Sequence, residues 1–424
     1  DVLLSDGAEK NSKKTFSASY YGDLSGKKDI DDKASLDKII SELKNATYSV
    51  ESVKKGERER KSYLPFTTST LQQEAFKALN FSIQKTMRIA QQLYEGFEIE
   101  GEGHVALVTY IRTDSVRVAD EAQKAARAYI GETFGSAFVP ETPNVYRGRR
   151  NAQDAHEAIR PTDVTNDPKT LKQYLSGDQY KLYKLIYERF LASQMSDAVL
   201  EQTAVTFDAN GVRFKATGSR TQFAGFSAVY TESRDADDED VVQLPPIREG
   251  EQFEKESIDA QQKFTQAPPR YTEATLVRTL EEKGIGRPST YAPTISTIVD
   301  RGYIMREKKS LVPTELGFAV TGLMKQSFPD VVDIAFTANM EEELDSIEDG
   351  SERWQSVIGE FYTPFMKTVE EASANAERIK IPDEVSDVPC ENCGAMMVYK
   401  MGRFGKFLAC PNFPTCRTTK SIIE

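Results

Sequence analysis

A multidomain α+β architecture is what this chain predicts, and three observations predict it. Two separated stretches have strand composition, the residues between them follow helical periodicity, and all four cysteines fall in the last 35 residues. The 424 residues leave room for roughly two to four domains, each with a core of its own. No apolar run approaches the roughly 20 residues needed to cross a bilayer, and no signal peptide is visible. A cytoplasmic chain with no membrane partner is therefore the expectation.

Residues 16–22 and 47–53 carry the aromatic and β-branched content of strands, with a helical stretch from Ser35 to Lys44 between them. Strand character returns at Gln202–Phe207 and Val212–Thr217, joined through Ala209-Asn210-Gly211. Asn-Gly tolerates the positive φ of a tight turn, so these two strands form a hairpin. Together the segments imply one β-rich domain built from residues 1–68 and 197–266.

The insert, residues 69–196, is mostly helical. Ser69 is positioned to cap a helix with Gln72 three residues on, and Leu71, Ala75, Leu79, Ile83, Met87, Ala90 and Tyr94 continue at helical spacing. A second helix covers Asp120–Phe134 and stops near Gly135; a third covers Asp178–Ser193. Residues 267–383 change to helix, short turn, helix. Thr272 caps a run through Leu276, Leu280 and Lys283, Gly284 ends it, and Pro288 and Ser289 open a helix that closes at Gly302. Tyr303–Pro313 makes a small basic hairpin before a helix at Thr314. This order fits a winged helix-turn-helix that sets a helix end against DNA, although plain helical packing produces it too. There is no internal repeat, and Asn375–Asp387 links to a small module, residues 384–424.

In that module Cys390-x2-Cys393 and Cys410-x5-Cys416 are separated by sixteen residues, and the chain has no other cysteine. Paired thiolates at this spacing suit a tetrahedral Zn2+ site; four unligated reduced thiols are the bland alternative. So short a module has little core, so metal binding would supply most of its folding energy. Tyr399, Lys400, Arg403, Phe404, Lys406 and Phe407 interleave cations with rings. Unpaired bases stack on such rings while the cations hold phosphates, unless the rings simply pack around the metal knuckle.

The formal net charge of −12 argues superficially against a nucleic-acid partner. The distribution matters more than the sum. Much of the excess acid sits in local runs such as Glu232–Asp240, whereas Arg147, Arg149, Arg150 and Arg160 flank His156. A DNA path would be basic only locally.

The most informative peptide is Thr109-Tyr110-Ile111-Arg112-Thr113-Asp114-Ser115. It ends the apolar run Val105–Val108, and strand alternation would put Tyr110 and Arg112 on one face. A phenol with pKa near 10 is only about one part in a thousand ionised at neutral pH, so it needs a cation beside it to act as a nucleophile. A planar guanidinium is also suited to holding a phosphodiester oxygen. On chemistry alone, a strand end with a half-buried tyrosine and a surface arginine fits as well.

The heptapeptide resembles the active-site motif of type IA DNA topoisomerases. Asp154-Ala155-His156-Glu157-Ala158-Ile159-Arg160-Pro161-Thr162 resembles the second signature of that family, and Gly284-Ile285-Gly286-Arg287-Pro288-Ser289-Thr290-Tyr291 a third. The likeness runs in the right order from about Pro65 to the C-terminus, and within the family the chain resembles bacterial topoisomerase I proteins. The resemblance implies a toroid-like core: a β-arch domain (1–68 and 197–266), a catalytic tyrosine domain (69–196), a winged-helix-like DNA-binding domain (267–383) and a C-terminal zinc ribbon (384–424). It implies that Tyr110 attacks single-stranded DNA to give a 5′-phosphotyrosine and a free 3′-hydroxyl, relaxing negatively supercoiled DNA without ATP. The absence of any G-x4-G-K-[ST] loop agrees with this.

Arg112 would steady the scissile phosphate. His156, one of two histidines with His104, would touch that phosphate or relay a proton, with Glu157 and Arg160 orienting it. Arg160, Arg287, Ser289 and Thr290 would contact the DNA backbone. A monomer associated with the bacterial nucleoid is implied. Family members also carry a Toprim domain whose acidic residues bind Mg2+, and no Asp-x-Asp-x-Asp cluster is present here. The chain is thus expected to be a fragment, inactive alone, with a non-catalytic single-stranded DNA clamp as the competing reading. Two distant histidines cannot supply the His-hydrophobe-His site of a replication nickase, and a tyrosine recombinase needs its Arg and His residues in a different order.

Overall fold

The computed structural model describes residues 1–5, 15–101, 103–146, 156–233, 243–375, 384–402 and 405–421. Along the chain the elements are β1 (Val2–Ser5), β2 (Thr15–Asp23), β3 (Gly26–Lys27), α1 (Lys33–Glu42), β4 (Tyr48–Arg60), α2 (Thr68–Leu79), α3 (Ile83–Glu95), β5 (Phe97–Ile99), β6 (Gly103–Val105), α4 (Asp120–Phe134), α5 (Pro168–Leu171), α6 (Gly177–Ser193), β7 (Ala198–Ala209), β8 (Val212–Phe223), β9 (Gln252–Ile258) and α7 (Glu273–Glu282). They continue with α8 (Tyr291–Asp300), β10 (Ile304–Glu307), β11 (Ser310–Pro313), α9 (Glu315–Ser327), α10 (Ile334–Glu348), α11 (Trp354–Asn375), β12 (Glu384–Pro389), β13 (Met396–Gly402), β14 (Gly405–Ala409) and β15 (Thr419–Ser421). The chain divides into two compact units, residues 1–282 with 286–293, and residues 283–285 with 294–424. No described helix is long and apolar enough to cross a membrane.

In the first unit, antiparallel strands take the order β1-β9-β4-β7-β8-β2-β3, and β1 pairs β2 as well as β9, which closes the sheet on itself. Residues from both separated segments fill its interior, among them Val2, Phe16, Tyr48, Phe207, Phe214 and Phe253. The hairpin at Asn210-Gly211 is present: both residues have positive φ, 55° and 85°, and Ala209 pairs Val212. β4, β7 and β8 are about twice the length the sequence predicts, because alternation marks only their buried ends. Lys54 to Glu59 are all exposed, so this part of the ribbon is held by backbone pairing and by the cross-strand ion pairs of Glu201 with Lys55 and Arg220. Gly56 pairs Gln202 and the adjacent Thr203 pairs Gly218, which places two glycines in this uncovered stretch.

The ribbon leads into a second core, formed by the helical insert. Thr67 caps α2 through a box with Thr70, two residues before the expected Ser69. The single long helix expected through Tyr94 is two, because Asn80 adopts a left-handed conformation (φ 55°) and Ser82 caps α3 anew. The predicted limits of α4 hold, with Gly135 ending it, and α6 begins one residue early behind a Ser176–Gln179 capping box. Ribbon and insert meet where the Arg189 guanidinium lies over the rings of Tyr63, Phe66 and Tyr230, at 4.7, 4.8 and 5.3 Å from their centroids. Gly225 (φ +48°) closes the same junction: a Cβ there would lie 2.3 Å from the Asp197 carbonyl oxygen. Gly225→Ala is accordingly expected to destabilise the chain by roughly 2–4 kcal/mol, read as a lowered denaturant midpoint. An unchanged midpoint would show that the junction is loose.

In the second unit, β10 and β11 form the expected hairpin, with Lys308 at φ 55° in its turn, and Thr314 caps α9. β12 to β15 make an antiparallel sheet in sequence order. Arg147, Arg149, Arg150, Asp154, Ala155, Arg403, Phe404, most of the acidic run 232–240 and the centre of the linker lie outside the described residues, as does the side chain of Lys406.

Candidate active site

The strand expected to carry Tyr110 and Arg112 is absent. β6 ends at Val105, and the next peptide makes one isolated bridge, Val108 with Pro161. Its backbone groups are claimed by three other segments instead. Leu107 N–H donates to the Leu93 carbonyl (2.9 Å), Thr109 N–H to that of Arg160 (2.9 Å), and the Thr109 hydroxyl to that of Ala158 (2.7 Å). On the far side of Tyr110, the Thr68 hydroxyl accepts from Thr113 N–H (2.8 Å) and donates to the Ile111 carbonyl (2.7 Å), while the Thr68 N–H donates to the Thr113 carbonyl (2.8 Å). Exposure still alternates: Ile111 and Thr113 are buried, whereas Tyr110 is 41% exposed and Arg112 is exposed.

Thr68, which carries no distinctive sequence signal, is thus the buried pin of the tyrosine loop. Thr68→Val would strand the buried Thr113 N–H and the Ile111 carbonyl, while the Thr113 carbonyl keeps the Thr68 N–H, and is expected to cost about 1–3 kcal/mol. Thr68→Ser should restore most of that in a thermal melt; equal loss in both variants would move the role from the hydroxyl to the methyl group.

The Tyr110 ring lies between two others. Tyr94, on the last turn of α3, meets it edge to face (centroids 5.6 Å, 69°), and His156 lies 5.5 Å away at 31°. Among the described residues the Tyr110 hydroxyl and the Arg112 guanidinium have no hydrogen-bonding or ionic partner. Tyr94 was legible only as the end of an apolar stripe. It is 37% exposed, and the position of that stripe's end beside Tyr110 needs the folded chain.

His156 is held through its C-terminal neighbours. One Glu157 carboxylate oxygen accepts from Ala119 N–H (3.1 Å) and Arg160 Nε (2.9 Å). Burial works against the Glu157 charge, but the Arg160 guanidinium and the Ala119 N–H outweigh it and hold the carboxyl below its usual range. Arg160 also donates to the Pro161 carbonyl (2.9 Å) and is only 9% exposed, so its guanidinium braces this loop rather than facing solvent. Arg287, Ser289 and Thr290 lie on a turn after α7. Thr290 N–H donates to the Arg287 carbonyl (2.8 Å), and Arg287 N–H to the Thr290 hydroxyl (2.8 Å). That turn delays α8 to Tyr291, three residues past the proline where the sequence predicted its start; Ser289 and Thr290 remain exposed.

The four cysteines converge. Their sulfurs all lie within 4.8 Å of one another, with Cys393–Cys410 at 3.3 Å and Cys390–Cys416 at 3.6 Å, and none is in a disulfide. A tetrahedral zinc thiolate site has sulfur–sulfur edges of about 3.8 Å, so the set fits Zn2+. Hydrogen bonding from Thr418 lowers Cys390 to about 6 and also lowers Cys416, whereas burial pushes the Cys410 thiol up to about 12. Phe407, on β14, pairs with Lys400 in the same sheet. Among the described residues no other group of His, Cys, Asp or Glu side chains is disposed to hold a metal.

The family described as DNA topoisomerase matches residues 7–359, and that described as topoisomerase DNA binding C4 zinc finger matches residues 387–424. A solved structure of full-length topoisomerase I from Thermotoga maritima is similar over 100% of this chain and 66% of that one, with 36% identity and a TM-score of 0.70. The chain spans about two thirds of the length of that relative. With an exposed tyrosine beside a histidine and a four-cysteine ribbon on the same polypeptide, the chain belongs to the bacterial type IA DNA topoisomerase I family.

Proposed function

We propose that this chain supplies the DNA-cleaving tyrosine, its phosphate clamp and part of the single-strand grip of an ATP-independent topoisomerase that relaxes negatively supercoiled DNA. The observation that carries this is the Tyr110 group: a phenol exposed to solvent, pinned on both flanks by backbone hydrogen bonds, beside His156 and two residues from a guanidinium with no partner among the described residues. Tyr110 Oη attacks a backbone phosphorus, the bond from phosphorus to the 3′ oxygen breaks, and a 5′-phosphotyrosine forms. The phenol gives up one proton and the departing 3′ oxygen gains one. Arg112 offsets the negative charge growing on the phosphoryl oxygens, and His156 donates to one of them or passes the proton on. One phosphodiester replaces another, so the reverse attack reseals the strand without a nucleotide.

Arg160 acts through Glu157 and the His156 loop. Arg287, Ser289 and Thr290 contact the DNA backbone, and the zinc ribbon adds a stacking surface through Arg403, Phe404, Lys406 and Phe407. By itself the chain is expected to act as a single-strand clamp.

Strand labelling tests the polarity. With the intact enzyme and magnesium, a 3′-labelled oligonucleotide should migrate with the protein after denaturation, and a 5′-labelled one should be released as a shorter piece. The opposite pattern would overturn the assignment. Arg112→Ala should slow cleavage by roughly 10²–10³, the size of losing one charge-stabilising donor, while DNA binding changes only a few fold. Equal losses in both would make Arg112 a binding residue.

A further inference from the structure

We infer that Tyr94 is a positioning residue for the nucleophile: its ring fixes the direction in which the Tyr110 phenol points. The inference rests on Tyr110 being the nucleophile. The Tyr110 side chain has no hydrogen bond among the described residues, so packing rather than polar contact holds its rotamer. Two rings touch it, those of Tyr94 and His156.

Tyr94 stands on a helix whose end is tied down on both sides of it. The Leu93 carbonyl accepts from Leu107 N–H (2.9 Å), and the Glu95 carbonyl accepts from His104 Nε2 (2.8 Å). Both bonds run to the segment that becomes the Tyr110 peptide, and the Leu93 side chain is fully buried beneath. Tyr94 and Tyr110 therefore belong to one stiff hydrogen-bonded frame. In-line attack depends on direction as well as distance, and small misplacements of a reacting atom lower rates steeply.

The aromatic ring, not the hydroxyl, carries this role. The Tyr94 hydroxyl has no partner among the described residues, and the contact is edge to face. An aromatic pair of this kind is worth about 0.5–1.5 kcal/mol, so losing it should lower the population of correctly aimed phenol by roughly 2- to 10-fold.

The test is single-turnover cleavage by the intact enzyme of a labelled single strand over a range of DNA concentrations. Tyr94→Leu should lower the limiting rate of adduct formation about 2- to 10-fold with little change in the half-saturating DNA concentration, and Tyr94→Phe should restore it. Melting curves of both variants confirm that each is folded. A limiting rate in Tyr94→Leu equal to the parent would overturn the inference. So would a Tyr94→Phe variant as slow as Tyr94→Leu, or a rise in half-saturating DNA at an unchanged limiting rate, which would make Tyr94 a DNA contact. Tyr110→Phe run in parallel separates the two levels. If it still forms adducts, the nucleophile assignment fails; if it is dead while Tyr94→Leu is normal, only the role of Tyr94 fails.

Discussion

Tyr110→Phe is expected to remove covalent DNA adducts from the intact enzyme, a loss on the order of 10⁴ or more, since deleting a nucleophile leaves only binding and electrostatic assistance. The same change should leave single-stranded DNA binding within a few fold. The removed oxygen has no partner among the described residues, and the ring that remains keeps both its contacts, to Tyr94 and to His156. Folding should be unaffected for the same reason, so a shift in melting temperature would be unexpected. Gel electrophoresis under denaturing conditions reads the adduct, and a filter or anisotropy assay reads binding. Persistent adducts would move the nucleophile elsewhere. Loss of binding in step with loss of adducts would make Tyr110 a docking residue instead.

Removal of zinc should have the second large effect, confined to the C-terminal ribbon. Its buried core is Cys390, Met397, Leu408 and Cys410, so two of the four core side chains are themselves metal ligands. Structural zinc contributes apparent binding energies of about 10–16 kcal/mol, far above what Met397 and Leu408 can supply by burial. Chelation, or Cys410→Ser, is expected to unfold residues 384–421 while the elements before them keep their melting transition. One equivalent of zinc should be found in the untreated protein by mass spectrometry under native conditions. Affinity should fall as pH is lowered, because each thiol must lose its proton to bind the ion. A ribbon that retains its amide dispersion after exhaustive chelation would show that the sulfurs cluster for another reason.

How much was legible in the residues varied with the kind of signal. Local chemistry read well: Asn210-Gly211, Gly135, Thr314 and the cysteine spacing each enforce a conformation without help from elsewhere. Long-range pairing did not. Lys54–Glu59 is strand because β7 lies beside it, and nothing in its own composition requires that. The segment around Tyr110 departs from its pattern in the opposite sense. Its in–out pattern resembles a strand, yet the hydrogen bonds go to Thr68, Leu93, Ala158 and Arg160, four positions scattered over more than 90 residues. The chemistry of Tyr110, Arg112 and His156 was recognisable from motif resemblance. Tyr94 and Thr68 were not, since neither carries a distinctive residue type and both act by where the fold puts them.

The uncovered half of the ribbon sets how the first unit can deform. Between the closed sheet and the helical insert, β4, β7 and β8 pass through a stretch with no side-chain core on the Lys54–Glu59 strand and with Gly56 and Gly218 on neighbouring rungs. Stretching this band would shear every backbone pair at once, whereas bowing it out of plane strains none of them severely. The junction at its insert end is locked by Arg189 among its rings and by the close approach of Gly225 to Asp197. Elastic compliance is therefore expected to concentrate in this leaf-spring, with a swing of insert against sheet as its soft direction.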